Sequence, residues 1–291
     1  MSLWKIAAVQ CDSRLGDVAF NLRTVRAGLR DAARLGARLA VFPECVLTGY
    51  GFASRAEAWP FAEPAPGPSV DALAADCREL GIWAVVGMLE RDDAVGGLFN
   101  ACALVGPRGF VASYRKIHLP YLGVDRFTTP GDRPFAVHDL DGLRVGMNIC
   151  YDGSFPESAR VLAVLGADLI VLPTNWPTGA APTIRHLTAA RALENHVFYA
   201  AVNRVGEERG FRFIGQSRII ACNGELLASA GADAPEIVTA DIDPAVARSK
   251  RLVIVPGQYE LDRVGHRRPE MYRPLCEPVR PSADRGSAPP A

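Results

Sequence analysis

The sequence Leu143-Arg-Val-Gly-Met-Asn-Ile-Cys-Tyr-Asp-Gly-Ser-Phe-Pro-Glu157 combines the signals of a strand, a tight turn and a helix. Apolar side chains alternate with other residues from Leu143 to Ile149, which is the period-2 pattern of a β-strand. Ser154 and Glu157 predict a capping box at the start of the helix. Cys150 therefore lies at a turn where backbone N–H groups and the helix dipole favour a thiolate. Most cysteines at strand ends are buried core residues, so position alone does not predict a reactive thiol.

The overall composition is that of an ordinary globular protein. Of 291 residues, 49% are hydrophobic and 22% are charged, and 32 basic side chains balance 32 acidic ones. This balance predicts no binding to nucleic acid or to an anionic membrane. The chain start lacks the apolar region of a signal peptide, and no apolar run reaches the roughly 18 to 20 residues that span a bilayer. Seven scattered cysteines without a Cys-x-x-Cys or Cys/His cluster predict no zinc site and a reducing, cytoplasmic location.

Predicted strands and helices alternate in two blocks along the chain. This order predicts an α/β fold with sheets inside and helices outside. Consecutive strands between residues 82 and 116 have no helix between them, which adds antiparallel hairpins to a mixed sheet. We find no repeat and no linker that divides residues 1–276, which we treat as one domain. The Pro-, Ser-, Gly- and Ala-rich tail, residues 277–291, is expected to be disordered.

Two further polar side chains follow apolar strands. Glu44 ends the apolar segment that starts at Leu39, where desolvation would raise the pKa of a carboxylate and make it a base near neutral pH. The alternative is a surface carboxylate that caps the next helix. Lys116 ends another strand and could stabilise an oxyanion, although an exposed lysine is the usual outcome. A base, a cation and Cys150, each at the end of a strand, are what thiol-based acyl transfer requires.

Three segments resemble the signature blocks of the carbon–nitrogen hydrolase (nitrilase) superfamily in order and spacing. They are Phe42–Tyr50, Tyr114–Pro120 and Asn148–Glu157, and the resemblance covers roughly residues 3 to 275. It implies a four-layer αββα sandwich that commonly forms homodimers or higher homo-oligomers. It also implies that no metal and no organic cofactor take part.

The resemblance also implies roles for individual residues. Glu44 would be the general base, Lys116 the oxyanion-stabilising cation and Cys150 the nucleophile. The backbone N–H of Tyr151 would be the second oxyanion donor. Many members of the superfamily carry a second glutamate in the loop after the lysine. Here the only acid of that loop before Pro-Gly is Asp125, which could take the positioning role or pair with its neighbour in the sequence, Arg126.

Other residues near these segments have more than one interpretation. Tyr50, Asn175 and Trp176 are candidates for the substrate pocket, and Trp176 could equally be a core residue. Arg191, Glu194 and Asn195 resemble a family pattern for which we expect an internal salt bridge. His118 and His196 are expected to be structural histidines, because the role of base already has a candidate.

The function implied by the resemblance is hydrolysis of a non-peptide C–N bond in a small linear amide, with release of ammonia. Members that cleave nitriles often have Trp-Glu after the cysteine, whereas Tyr151-Asp152 looks more like the amidase and carbamoylase branches. Hydrolysis of an N-carbamoyl amine or amino acid is the alternative among enzymes. It would need a pocket group for an amine or a carboxylate, such as Arg185 or Glu157. A catalytically silent, ligand-binding member of the fold is the alternative outside enzymes.

Overall fold

The computed structural model describes residues 3–278. Strands β1 to β9 are Trp4–Gln10, Leu39–Val41, Trp83–Asp92, Gly97–Gly106, Gly109–Arg115, Val137–Asp139, Arg144–Met147, Leu169–Pro173 and Phe198–Val202. Strands β10 to β16 are Glu207–Glu208, Phe211–Arg212, Arg218–Ile220, Leu226–Ser229, Glu236–Ile242, Leu252–Val255 and Tyr259–Leu261. Helices α1 to α6 are Val18–Arg34, Arg55–Ala58, Pro68–Leu80, Pro156–Val164, Thr188–Asn195 and Pro244–Arg248.

Two six-stranded mixed sheets form the centre of the unit that ends at Lys250. The first sheet has the strand order β14-β1-β2-β3-β4-β5, and the second has the order β13-β12-β9-β8-β7-β6. In the first sheet β1, β2 and β3 are parallel, and β4 and β5 continue it as antiparallel hairpins. In the second sheet β7, β8 and β9 are parallel. The mixed sheets and the antiparallel hairpins of β3, β4 and β5 agree with the sequence prediction.

The period-2 alternation of the strands explains the layers. In β1, Ile6 and Ala8 belong to the core shared with the second sheet, whereas Ala7 and Val9 pack on the other face with α1 and α3. On the second sheet, α4 and α5 provide the outer layer, and Leu162 of α4 belongs to the shared core. The four layers are those of the predicted αββα sandwich.

The start of α4 differs from the sequence prediction. Ser154 does not cap the helix, because residues 150–154 form a 3₁₀ turn and Phe155 precedes the first helical residue, Pro156. No side chain caps α4; the side chain of Asp152 instead accepts the backbone N–H of Ile149 at 3.0 Å and so caps the preceding 3₁₀ turn. The predicted helix over 181–195 is a π-helical turn at Thr183–Leu187 followed by α5.

A second compact unit begins at Arg251 and contains the β15–β16 hairpin and two short 3₁₀ turns. The predicted disordered tail begins at residue 277, and residues 279–291 lie outside the described residues. None of the helices within residues 3–278 is long and apolar enough to cross a lipid bilayer.

Candidate active site

Glu44 follows β2 at its carboxyl end, where the chain makes a tight turn. The backbone of the next residue, Cys45, has a φ of 47°, and its carbonyl accepts the N–H groups of Thr48 and Gly49. A side chain at Gly87 on β3 would come within 2.3 to 2.7 Å of the turn backbone, so only glycine permits this approach. The turn places the Glu44 carboxyl group in the interior, where its side chain is fully buried.

Lys116 directly follows β5, which runs in the same direction as β2 because two antiparallel pairings separate β5 from β3. Its backbone N–H donates to the carbonyl of Asn100 on β4 at 2.8 Å. A side chain at Gly131 would lie 2.2 Å from the Arg115 carbonyl, so glycine allows the Pro-Gly loop to cover the end of the strand. The carboxyl ends of β2 and β5 therefore lie at the same edge of the sheet.

The Lys116 ammonium group joins two buried carboxylates. Its Nζ donates to Glu44 Oε1 at 2.7 Å and to Asp125 Oδ2 at 2.6 Å, and all three side chains are 0% exposed. Burial by itself lowers the pKa of Lys116, but the charges of Asp125 and Glu44 outweigh burial and hold that pKa well above its ordinary value. Lys116 is therefore a permanent cation. Among the described residues two of its three ammonium N–H groups have carboxylate acceptors, and the third can donate to a further acceptor.

Glu44 has two chemically different oxygens. Oε1 accepts both Lys116 Nζ and the side-chain amide of Asn100, at 2.7 Å each, whereas the buried Oε2 has no partner among the described residues. Burial raises the pKa of Glu44 above its ordinary value of 4.5, and Asp125 raises it further, while Lys116 and Asn100 act in the opposite direction. A carboxylate with this pKa suits a general base near neutral pH.

Cys150 lies in the turn after β7, at the carboxyl end of that strand. Its φ of 45° is unusual for a residue with a side chain and places the thiol on a strained turn. Asp152 secures the turn from one side by accepting the hydroxyl of Tyr114 at 2.7 Å. Arg191 secures it from the other side by donating to the carbonyls of Gly153 and Ser154 at 3.0 and 3.1 Å.

The surroundings of Cys150 act on the pKa of its thiol in opposite directions. Burial raises the pKa of the Cys150 thiol to about 12, the negative charge of Glu44 adds to this, and Lys116 lowers it. The turn and the nearby cation favour the thiolate, as expected, but desolvation has the larger effect on the pKa of this thiol. The thiol requires a base, and the charge that most affects its pKa belongs to Glu44.

Comparisons with known proteins agree with this geometry. A family model described as carbon-nitrogen hydrolase matches residues 5–252. The chain belongs to this family. The hydrolase is 41% identical to a nitrilase from Pyrococcus abyssi, over 85% of this chain and 93% of that protein. It is 37% identical to an (R)-stereoselective amidase from a Pseudomonas species, over 82% of this chain and 85% of that protein.

A solved structure of an amidase from Nesterenkonia sp. AN1 resembles the hydrolase with a TM-score of 0.77 at 25% identity. The similarity covers 93% of this chain and 96% of that chain. That structure is described as showing covalent addition of the acetamide moiety of fluoroacetamide at the active site cysteine. The recognised superfamily and the predicted fold are therefore confirmed.

In the hydrolase, Asp125 contacts Lys116 and not Arg126, whose guanidinium donates to the carbonyl of Gly123. Asp125 also accepts the hydroxyl of Tyr50, at 2.8 Å. Tyr50 is 1% exposed and faces this carboxylate, so it supports the charged cluster. The sequence allowed Asp125 either a place in the site or a pair with Arg126, and the contact with Lys116 places it in the site.

The two remaining pocket candidates differ from each other. The buried amide of Asn175 has no partner for either polar atom among the described residues, and its backbone N–H helps to lower the Cys150 pKa. Trp176 is 4% exposed, belongs to the shared core, and donates its backbone N–H to Asn203 at 2.8 Å. Tyr151, the expected oxyanion donor, directly follows Cys150 in the same 3₁₀ turn.

The histidines and the predicted salt bridge have structural contacts. Arg191 pairs with Glu194 at 3.0 Å, as predicted. The ring of His118 contacts the Asp152 carboxylate through Nδ1 at 2.7 Å and stacks on Phe155, and His196 Nε2 contacts the carbonyl of Val246 at 3.1 Å. Within residues 3–278, no group of three or more His, Cys, Asp or Glu side chains is arranged to hold a metal ion.

Sequence reasoning missed three buried polar residues that organise the site. Asn100 contacts both Glu44 and Asp125. Glu208 accepts the backbone N–H groups of Tyr50 and Gly51 and pairs with a buried arginine, Arg204, at 2.9 Å. Asp152 is the third such residue. The available signal was a polar residue within a strongly apolar segment, which is clearest for Asn100 in Leu98-Phe-Asn-Ala-Cys102.

Proposed function

We propose that this protein hydrolyses the C–N bond of a small linear amide through a thioester at Cys150 and releases ammonia. The observation that supports this most is a buried thiol whose pKa is raised by burial and by the charge of Glu44, a buried carboxylate with Oε1 held by Lys116 and Oε2 without a partner among the described residues. A thiol with a raised pKa needs such a base, and a buried cation next to that base suits a developing oxyanion.

In the first half-reaction, Glu44 Oε2 accepts the thiol proton while Cys150 Sγ attacks the amide carbonyl carbon. The oxyanion of the tetrahedral intermediate accepts the remaining N–H of Lys116 and the backbone N–H of Tyr151. Glu44 then returns the proton to the nitrogen, the C–N bond breaks, and ammonia leaves. The acyl group remains on sulfur as a thioester, which is a covalent acyl-enzyme.

In the second half-reaction, Glu44 accepts a proton from water, and the resulting hydroxide attacks the thioester carbon. Lys116 and Tyr151 hold the second oxyanion in the same way. Collapse expels the Cys150 thiolate, which regains the proton from Glu44, and the carboxylic acid product leaves. Asp125 does not exchange protons in this scheme. Its carboxylate holds the Lys116 ammonium group at 2.6 Å.

Ammonia release tests the proposal. The panel contains short aliphatic amides, ω-amides, N-carbamoyl compounds and nitriles, and it compares the native protein with Cys150→Ala. Cys222→Ala is the matched control, because Cys222 is also buried but has no contact with Glu44 or Lys116. We expect ammonia from amides, a loss of at least about 10⁴-fold in Cys150→Ala, and native activity in the control.

The same panel decides between the proposal and its alternatives. Release only from N-carbamoyl compounds would identify the carbamoylase alternative, and release only from nitriles would contradict the amide proposal. No release from any compound would support a ligand-binding member of the fold. The unpartnered Asn175 amide supports a substrate with a polar group, since a buried amide gains free energy from any ligand that pairs with it.

We also propose that the protein forms a homodimer or a higher homo-oligomer through α4 and α5. These adjacent helices, with the residue Leu165 that follows α4, expose Val161, Val164, Leu165 and Leu193, each 40 to 50% exposed. Light scattering with size-exclusion chromatography should show a mass above that of one chain, and Leu165→Glu should reduce it. A single-chain mass for the native protein would contradict the proposal.

The free cysteines support a reducing, cytoplasmic location.

A further inference from the structure

Asn100 is a polar residue in the middle of a strand that is otherwise buried and apolar. It is 0% exposed, and alternation places it on the inner face of β4 together with Cys102 and Leu104. Its carbonyl accepts the backbone N–H of Lys116. Register therefore places Asn100 beside Lys116, although the two residues are 16 positions apart.

The Asn100 amide joins the two carboxylates of the cluster. Nδ2 donates to Glu44 Oε1 at 2.7 Å and to Asp125 Oδ1 at 2.8 Å, and Oδ1 faces the thiol of Cys45, which donates to it at 3.4 Å. The orientation of the amide follows from chemistry, because an ionised carboxylate only accepts hydrogen bonds. Both N–H groups of Asn100 are thereby used on the catalytic cluster.

A neutral hydrogen-bond donor suits this position better than a second cation. Two buried carboxylates and one ammonium group leave an excess of negative charge, which burial makes unfavourable. A second cation would stabilise ionised Glu44 so strongly that Glu44 would become a weak base. An amide holds both carboxylates in place without adding a charge, so that Glu44 keeps a pKa suited to proton transfer.

The amide also decides which oxygen of Glu44 reacts. Lys116 and Asn100 both donate to Oε1, and Oε2 remains without a partner among the described residues. Without Asn100, the carboxylate would be held by the lysine alone and could rotate about its terminal bond. Oε1 and Oε2 would then exchange places, and the reactive oxygen would no longer be fixed.

We propose that Asn100 is a positioning residue: its amide holds Glu44 and Asp125 together, so that Glu44 presents Oε2 to the thiol of Cys150. This inference rests on the proposed function, because it takes Glu44 as the base that accepts the Cys150 thiol proton. It adds a residue to the site that does not itself touch the reacting atoms.

The test measures how the rate of Cys150 alkylation by iodoacetamide depends on pH, with tryptic mapping to assign the modified cysteine. This readout needs no substrate. The variants are Asn100→Leu, which keeps the shape and removes the donors, Asn100→Ala, and Asn100→Asp, which adds a carboxylate. The matched control is Asn21→Ala, because Asn21 is equally buried and its contacts are with backbone groups only. Thermal unfolding confirms that each variant is folded.

We expect the acid limb of the alkylation profile to move to higher pH by about one pH unit in Asn100→Leu and Asn100→Ala. Loss of a hydrogen bond to a charged group favours protonated Glu44 by this amount. The limb should move further in Asn100→Asp and stay in place in Asn21→Ala. With an amide substrate, kcat should fall about 10- to 100-fold with little change in KM.

An unshifted limb in folded Asn100→Leu and Asn100→Ala would overturn the proposal, as would an equal shift in the Asn21→Ala control. Failure of the proposed function gives a different result. If no amide is hydrolysed but the limb still depends on Asn100, the positioning role stands. If amides are hydrolysed and the limb does not respond to Asn100, the positioning role fails and the proposed function stands.

Discussion

Arg115 and Lys116 are neighbours in the sequence, yet they form two different carboxylate clusters on opposite faces of one sheet. The Arg115 cluster consists of Arg115, Glu90, Asp92 and Asp132, and all three guanidinium nitrogens donate to its carboxylates at 2.5 to 3.0 Å. The Lys116 cluster consists of Lys116, Glu44, Asp125 and Asn100. Its lysine donates to two carboxylates, and its third N–H has no acceptor among the described residues.

The clusters differ in whether all donors of the cation are used and in how far solvent reaches the charged side chains. Asp132 is 54% exposed, so water screens part of the Arg115 cluster, whereas the three charged side chains of the Lys116 cluster are 0% exposed. Arg115 also stacks on Phe99, with 3.8 Å between the guanidinium carbon and the ring centre. The Arg115 cluster is suited to hold β3, β4 and β5 together, and the Lys116 cluster is suited to chemistry because it remains incomplete.

Replacement of the cation in the Lys116 cluster should have the largest effect. Lys116→Arg should lower kcat/KM by about 10³-fold or more, because a planar guanidinium cannot occupy the ammonium position and still offer a donor to the oxyanion. Ammonia release from the best amide, normalised to folded protein, measures this loss. Native activity in Lys116→Arg would show that the third N–H of Lys116 has no role in the reaction.

Removal of one carboxylate from each cluster has the next largest effect. Asp125→Asn should lower kcat by about 10²-fold, because Lys116 loses one of its two anionic partners. It should also move the acid limb of the kcat/KM profile to lower pH, since the Asp125 charge raises the pKa of Glu44. The matched variant Asp132→Asn should change kcat less than twofold. Equal losses in the two variants would contradict the separation of the clusters.

The pH profile of the native protein tests the role of Glu44. Below the Glu44 pKa the carboxyl group is protonated and cannot accept the Cys150 proton, so kcat/KM should fall about tenfold per pH unit on the acid side. Because burial raises this pKa, the limb should lie above pH 4.5. A limb at or below that value would show that the group behaves as an exposed carboxylate.

Arg115→Lys should have the smallest effect on activity. It should lower the free energy of unfolding by about 1–3 kcal/mol, because the single ammonium nitrogen of lysine cannot replace three guanidinium nitrogens that contact Glu90, Asp92 and Asp132. Urea unfolding measures the change, and kcat of the folded fraction should stay within twofold. A large loss of kcat without a loss of stability would mean that Arg115 acts on the chemistry.

The sequence predicted the residues whose position depends on local order along the chain. Glu44, Lys116 and Cys150 each follow an apolar strand, and the carboxyl ends of β2, β5 and β7 are where the structure places them. Asn100 could not be predicted in this way, because its contact with Lys116 depends on the register of β4 and β5. Composition and periodicity do not specify register.

Two further features depend on the tertiary structure, which the sequence shows only indirectly. The choice between Lys116 and Arg126 as the partner of Asp125 depends on the path of the loop, and the structure resolves it in favour of Lys116. The turn around Cys150 suggested a thiolate, but desolvation has the larger effect on its pKa. Turn geometry can be inferred from a local motif, whereas the depth of burial depends on elements from the whole chain.

The most direct test of the account is a search for the thioester itself. The native protein is mixed with its best amide substrate, quenched in acid within one turnover, and analysed by mass spectrometry of the whole chain and its tryptic peptides. We expect a mass increase equal to the acyl group on the peptide that contains Cys150, and no such increase in Cys150→Ala. Ammonia release without an acylated species, or an acyl group on another cysteine, would contradict it.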